Sequence, residues 1–441
     1  MNVFRNKIVK NASWIIVCKI AEAILHMVIT IITTRYLGPS KYGVISYAAS
    51  IVAFVVPFMH LGIRNILVNE LINLPEKKGE AIGSALLLNL ISSVVCILGI
   101  TSFVLIVNRN ETDTIFICIL YGISLLFQSV EIIKYWFQEQ LISKYVSGSI
   151  LVAYFLTSIY QIAVLLINHN VLLYVISEPI RHLLISILLL FQYKLHDGPK
   201  IKVSATRAKQ LLIRGAPYII ANLMLTVYQQ TDKIMLKQIV GDAEVGFYAA
   251  AVTCAGMVNF VYLSIIDSVR PVIYQKQKES IKKFEDLIRL SYGTIGWLSV
   301  LQCIAFTLFA PLIIKILFGS DYLPSVKLLQ IVVWFTAFAH IGLVQDVWIL
   351  SQEKQHYIWK LNLAGVIVNI ILNLILIPLI GGTGAAIASV VARVTTNIIM
   401  FSAFKDLRRT NVLLLQGMNP KFLIRFGQKY FTQKENLGGS Q

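Results

Sequence analysis

Twelve apolar runs fill most of this chain, at about 12–34, 43–66, 83–107, 114–137, 145–167, 171–193, 216–239, 247–269, 291–317, 326–349, 357–380 and 384–404. Each is near or above the roughly 20 residues that carry a helix across a bilayer. The chain is 57% hydrophobic and only 14% charged, whereas a soluble domain keeps about a quarter of its residues charged. With a mean hydropathy of +0.73 it has too little polar surface to dissolve in water. An all-α membrane protein with twelve transmembrane helices is the expectation. The first run follows Arg5, Lys7 and Lys10 but is longer than a signal-peptide core and ends in Arg-Tyr-Leu-Gly-Pro, so it reads as an uncleaved span. The five cysteines, Cys18, Cys96, Cys118, Cys254 and Cys303, all fall inside apolar runs without metal spacing and read as small core hydrophobes.

Direction follows from the basic residues. With the N-terminus placed inside, 28 of the 39 lysines and arginines fall in inner segments, 6 in outer turns and 5 within spans. That bias places both termini in the cytoplasm. The net charge of +17 is then mostly a positive-inside signature, with membrane lipids and not nucleic acid as its partner.

A repeat runs beneath the spans. "TTRYLGPSKYGVISYA" at 33–48 returns as "LKQIVGDAEVGFYAAA" at 236–251, a constant offset of 203 that pairs Gly38 with Gly241 and Gly43 with Gly246. Each copy joins the first and second spans of a six-span unit. Six is even, so both units enter the membrane in the same sense, as parallel repeats about a pseudo-two-fold with a binding site where they meet. The division expected is a six-helix lobe at 1–205, a second at 206–410, and a basic amphipathic tail at 411–441. The linker "KLHDGPKIKVSATRAKQLLIRG" is basic and partly amphipathic, and is expected on the inner surface.

These same residues carry a resemblance. "TRYLGPSKYGVISYA" followed by "HLGIRNILVNEL" resembles the first hairpin of the polysaccharide (O-antigen type, Wzx-like) flippases, and "TDKIMLKQIVGDAEVGFYAAA" and "LIPLIGGTGAAIASVVAR" resemble two later connections of that family. The family belongs to the multidrug/oligosaccharidyl-lipid/polysaccharide exporter (MOP) superfamily. The resemblance implies a MATE-like fold with a central cavity and, in the inner membrane of a bacterium, transfer of an undecaprenyl-pyrophosphate-linked glycan for polysaccharide or lipopolysaccharide biosynthesis. A glycan polymerase and a chain-length regulator are the protein partners it implies. Arg64 departs from the family pattern, which carries a small polar residue there.

Charge inside a membrane costs roughly 3 kcal/mol or more at the bilayer centre, so each such residue faces a partner or a cavity. Lys19 and Glu22 (with His26), Glu178 and Arg181 (with His182), Asp267 and Arg270, and Glu131 and Lys134 are spaced three or four apart and can pair on one helix face. Asp232 and Lys233 are adjacent, so each needs a partner elsewhere. Arg393, mid-span in the last run, has no acid close enough along its own helix, nor does Arg64. Guanidinium forks suit a pyrophosphate. The candidate substrate-binding cations are therefore Arg393, Arg64, Lys19, Arg181 and Lys233. The candidate coupling or structural acids are Glu22, Glu178, Asp232 and Asp346. His340 is expected as a buried, hydrogen-bonded histidine. Trp14, Trp136, Trp348 and Trp359 are expected at the membrane interface. Gly384, Ala388 and Ala392 are expected as a close-packing face.

No P-loop and no metal-ligand cluster lies on any loop, so no cofactor is expected and ATP-driven export has no support. The outer connections are short, which argues against a membrane glycosyltransferase or polymerase. A multidrug antiporter of the same superfamily is the alternative transporter reading; it needs an acid-dominated cavity, and deep charges nearly balanced in sign leave it open.

Overall fold

Short breaks separate long helices in the computed structural model, which describes residues 2–167 and 170–422, with side chains from residue 13. Eleven helical runs are long and apolar enough to cross a membrane. The first, Ser13–Met59, has 47 residues, about twice what a bilayer core needs. It breaks at Gly38, whose backbone lies at φ 73 and ψ 175. The run is therefore two helices, α1 (2–37) and α2 (39–59), and the spans among the described residues number twelve. Positive φ is open to glycine without steric cost. Pro39 then takes the first position of α2, where its missing N–H is no loss.

The other spans are α3 (Lys78–Val107), α4 (Thr112–Glu139), α5 (Lys144–Ile167), α6 (Val171–Leu195), α7 (Ala205–Ile239), α8 (Asp242–Glu279), α9 (Ile281–Phe318), α10 (Ser325–Ser351), α11 (Gln355–Ile380) and α12 (Gly382–Ala403). A short helix α13 (Arg408–Gly417) follows. The described residues contain no strand.

The chain packs as two compact units, Met1–Gly246 and Phe247–Gln441. In the first, α7 is fastened near both ends. At one end α2 breaks where Leu61 and Gly62 take positive φ in succession. A methyl group on Gly62 would overlap the Gly215 carbonyl, and one on Gly215 the Leu61 carbonyl, so the two backbones touch. Arg64 Nη2 donates to Asn222 Oδ1 at 3.0 Å, and Arg214 pairs with Glu70. At the other end Gln238 Nε2 donates to the Tyr47 hydroxyl at 2.7 Å. The repeat boundary read from sequence thus precedes α7, and the packing boundary follows it.

The two copied turns meet in this unit. Gly241 also has positive φ, 122°. A methyl on Gly43 would overlap the carbonyl of Asp242, and one on Gly246 that of Pro39. Pro39 and Asp242 are themselves repeat equivalents, so the contact is reciprocal. Each glycine admits the carbonyl that follows the other copy's turn.

The linker is a strap. Lys202 N–H donates to Gly79 O at 3.1 Å, and Ser84 Oγ donates to Ser204 O at 3.1 Å. Gly79 and Gly83, one turn apart on α3, leave room for the carbonyls of Lys200 and Lys202. Its first half is held against α3, and its second half opens α7.

The second unit packs α8, α9, α10 and α12 around a core that includes Ile266, Ile288, Val344 and Phe401. Helix α13 buries Leu413 and Leu414 in that core. Arg409 Nε and Nη2 donate to the two Glu285 oxygens at 2.7 and 2.6 Å. Of the tail expected at 411–441, residues 423–441 lie outside the described residues. Two tryptophans expected at the interface are core residues instead: Trp136 and Trp348 are each 4% exposed, against 50% for Trp14 and 48% for Trp359. Trp136 stands edge-on to Phe137 and Tyr193, each at 4.8 Å, so aromatic packing displaces the belt position.

Candidate functional site

In the first unit, charged residues three and four apart in sequence become one polar strip across α1, α4, α5 and α6. Arg181 pairs with Glu178 on its own helix face and lies over the Tyr154 ring, 4.5 Å from its centroid. One turn along, His182 Nδ1 lies 2.7 Å from Glu131 Oε1, and Gln128 Nε2 is 3.1 Å from its Nε2. Lys134 Nζ is 3.4 Å from Glu131 Oε2. Glu22 on α1 stands in the field of Arg181, Lys19 and Glu131. Lys19 itself is exposed. Three of the spaced groups are thus ion pairs, with Arg270 Nη2 3.2 Å from Asp267 Oδ1 in the second unit as the third. The bond from His182 to Glu131 joins two of the groups across helices, which periodicity along one helix does not reveal.

Arg64 is half-buried and held by Asn222. Asp232 is buried, and the half-buried Lys233 lies in its field.

Nearby, at the turn where α3 gives way to α4, is a group that sequence reasoning missed. Lys237 Nζ, on a side chain 3% exposed, is 2.6 Å from both Glu111 Oε2 and Asp242 Oδ1. Tyr47 donates to Asn108 Oδ1 at 3.0 Å, which in turn lies beside Glu111. Burial alone would push the Glu111 carboxyl up, but hydrogen bonds from Lys237 and Thr114, with the Lys237 charge, hold it below the ordinary range. The available signal was a lysine five residues before an acid across a glycine turn.

In the second unit the mid-span cation is embedded in a seam between α10 and α12. Arg393 is half-buried, its guanidinium 5.5 Å from the Phe335 ring centroid. It acts electrostatically on Asp346, as does Arg270. The Asp346 carboxyl-bearing residue is exposed. Behind the seam, His340 is a buried, hydrogen-bonded histidine, as expected: it lies 3.0 Å from Ser299 Oγ through Nδ1 and 3.0 Å from Asn259 Oδ1 through Nε2, stacked on Tyr262. Gly384, Ala388 and Ala392 are all buried. A methyl on Gly384 would overlap the Leu376 carbonyl of α11, so the small face does seat α12 closely. A guanidinium held midway along a tightly packed helix, with an exposed acid in its field, can receive a multivalent anion in exchange for that acid's interaction. Among the described residues no group of His, Cys, Asp or Glu could hold a metal ion.

Residues 8–277 match the family model described as polysaccharide biosynthesis protein. Residues 217–375 match the one described as MatE. No curated protein sequence matches the chain. Among solved structures, an inward-facing multidrug resistance MATE family transporter of the MOP superfamily superposes with a TM-score of 0.66 at 14% identity, covering 89% of this chain and 95% of the other. The MATE multidrug transporter DinF-BH gives 0.64 at 16%, covering 95% and 96%. The lipid II flippase MurJ, in an inward closed conformation, gives 0.62 at 15%, covering 95% and 98%. The fold is MATE-like, and the solved structures that share it are described as two multidrug transporters and a lipid II flippase.

Proposed function

Because the chain belongs to the polysaccharide biosynthesis protein family, we propose that it is a lipid-linked glycan flippase. It carries an undecaprenyl-pyrophosphate-linked oligosaccharide, an O-antigen or similar repeat unit, from the inner to the outer leaflet of the bacterial inner membrane. Both termini are cytoplasmic, and the two repeated lobes rock in alternating access. The observation that carries this reading is Arg393, a guanidinium in the middle of α12 that acts electrostatically on Asp346, as Arg270 also does. A pyrophosphate moved bare into hydrocarbon costs on the order of 20 kcal/mol per charge in the idealised limit. A guanidinium fork offsets that cost through bidentate contacts. The anion also moves outward down an inside-negative potential, gaining roughly 2.3 kcal/mol per charge per 100 mV. A polymerase and a chain-length regulator would receive the exported glycan.

The test is complementation. A cell lacking the gene accumulates lipid-linked glycan on the cytoplasmic leaflet, and the wild-type gene clears it. Arg393→Ala, at normal membrane abundance, leaves the glycan trapped, and Arg393→Lys clears it in part. Full export by Arg393→Ala at normal abundance eliminates the pyrophosphate role. A purely structural pairing with Asp346 gives another pattern: Arg393→Ala lowers abundance and adding Asp346→Asn restores it. The multidrug reading draws on the strip of Glu22, Glu131 and Glu178 in the first unit. It requires that the purified protein move a cationic dye across proteoliposomes, with Glu22→Gln blocking it.

A further inference from the structure

Two residues past Arg393, α12 stops being an α-helix. Residues Thr395–Ile399 form a π-helical turn, closed by the Met400 N–H reaching back to Thr395 O. Such single π turns inside α-helices tend to mark functional positions. The distortion is supported from both sides. Thr395 and Thr396 turn their hydroxyls back onto the carbonyls of Val391 and Ala392, at 2.9 and 3.0 Å, bracketing Arg393. Asn397, one turn beyond Arg393, donates through Nδ2 to Phe338 O on α10 at 2.5 Å. Gln345 Nε2, also on α10, donates to Asn397 O at 2.6 Å. Both Gln345 and Asn397 are buried.

Between those two bonds, on the same face of α10, lies Gly342. A methyl group there would stand 2.7 Å from Asn397 Nδ2 and 3.8 Å from Arg393 Nη2. The Asn397 amide therefore fills the space that the missing Cβ leaves, and the Arg393 fork lies within van der Waals reach of it. The Asn397 amide cannot retreat from a new methyl without releasing Phe338 O. The Arg393 fork thus has the Phe335 ring 5.5 Å from it and the Gly342 position, filled by the Asn397 amide, within van der Waals reach.

From this geometry we infer that Asn397 and Gly342 are positioning residues for Arg393: they aim its guanidinium fork at the pyrophosphate. The inference rests on the role given to Arg393 above. Bidentate recognition depends on orientation, because both N–H groups must meet two oxygens together. A point charge has no such requirement. The seat therefore matters for a fork and not for an ammonium group.

The test uses the full chain, purified into nanodiscs of uncharged lipid, and two probes of equal length, farnesyl pyrophosphate and farnesyl monophosphate. Arg393→Ala weakens pyrophosphate binding at least thirtyfold. Gly342→Ala and Asn397→Ser each weaken it about tenfold and change monophosphate binding less than twofold. In an Arg393→Lys background the same two substitutions change neither probe's affinity. Asn397→Asp, which sets a carboxylate against the guanidinium, lowers pyrophosphate binding to the Arg393→Ala level. If Gly342→Ala does not fold, Asn397→Ser decides alone. Wild-type affinity in Asn397→Ser, while Arg393→Ala still loses it, overturns the positioning role and leaves the site standing. Equal losses for both probes, or a further loss in the Arg393→Lys background, reduces the seat to a general packing role and also overturns it. Unchanged binding in Arg393→Ala removes the site itself.

Discussion

Replacing Lys237 with Met tests whether the turn between α7 and α8 is locked by charge. The ammonium is 3% exposed and 2.6 Å from two carboxylates. Breaking a fully buried pair costs about 3–5 kcal/mol, and an exposed pair is worth about 0–1. Here the cation is buried, but Glu111 and Asp242 are 44% and 30% exposed, so water takes up part of the loss. We expect Lys237→Met to cost about 2–3 kcal/mol, which lies between those limits. At about 2–4 °C per kcal/mol for a unit of 150–250 residues, the unfolding midpoint falls by roughly 4–12 °C. The assay is thermal unfolding of the purified protein in one fixed detergent or nanodisc. Adding Glu111→Gln and Asp242→Asn to Lys237→Met removes the stranded like charges and recovers most of the loss. About 0.5 kcal/mol stays lost, because Asp242 also begins α8, where an acid favours the helix dipole.

The pH dependence has a fixed sign. Glu111 is held below its ordinary value by Lys237. Its contribution is therefore complete above the ordinary carboxylate pKa of about 4.3 and disappears as pH falls through the lowered value. The gap between wild type and Lys237→Met stays constant from pH 8 to about 5 and closes in stronger acid. An unchanged midpoint in Lys237→Met, or a triple variant no more stable than the single one, refutes the reasoning.

Two other outcomes follow. Gly43→Ala or Gly246→Ala forces a methyl onto a backbone carbonyl that has no rotamer to escape through, and costs about 1–3 kcal/mol. Because both enter one contact, the double variant costs less than the sum, and additive losses in the same melting assay would count against the reciprocal contact. Single cysteines at Asn110 and Ser320 react with a membrane-impermeant maleimide added outside intact cells, and those at Lys78 and Lys278 do not. Outside labelling at position 278 breaks the parallel two-repeat topology.

The helices were legible because apolar length is a one-dimensional signal, and the break at Gly38 because glycine and proline punctuate the chain locally. The pairs Glu178–Arg181, Glu131–Lys134 and Asp267–Arg270 were legible from helical spacing for the same reason. What sequence does not carry is the partner across helices. Nothing in the spacing of Lys237 announces Glu111, more than a hundred positions away. Nothing in Gly342 announces that Asn397 would fill its vacant side with Arg393 beside it. Trp136 and Trp348 misled because position along a span sets depth but not which way the ring faces. The unit to which α7 belongs is likewise set by contacts such as Gly62 with Gly215, which lie outside the copied stretch.

The crossed turns bear on ancestry. Gly43 receives the carbonyl of Asp242, and Gly246 receives that of Pro39, at positions matched by the same offset. Such a contact maps onto itself when the two copies are exchanged, so one stretch of sequence used twice is enough to write it. A two-fold homodimer writes its interface in that way. A six-span chain carrying a single Gly-x4-Gly turn would already own both halves of this joint, one from each subunit. Fusing two such genes supplies a covalent link but no new contact at that point. Side chains outside the contact are then free to differ between the copies, as those of Pro39 and Asp242 do, because only their backbone carbonyls meet the two glycines.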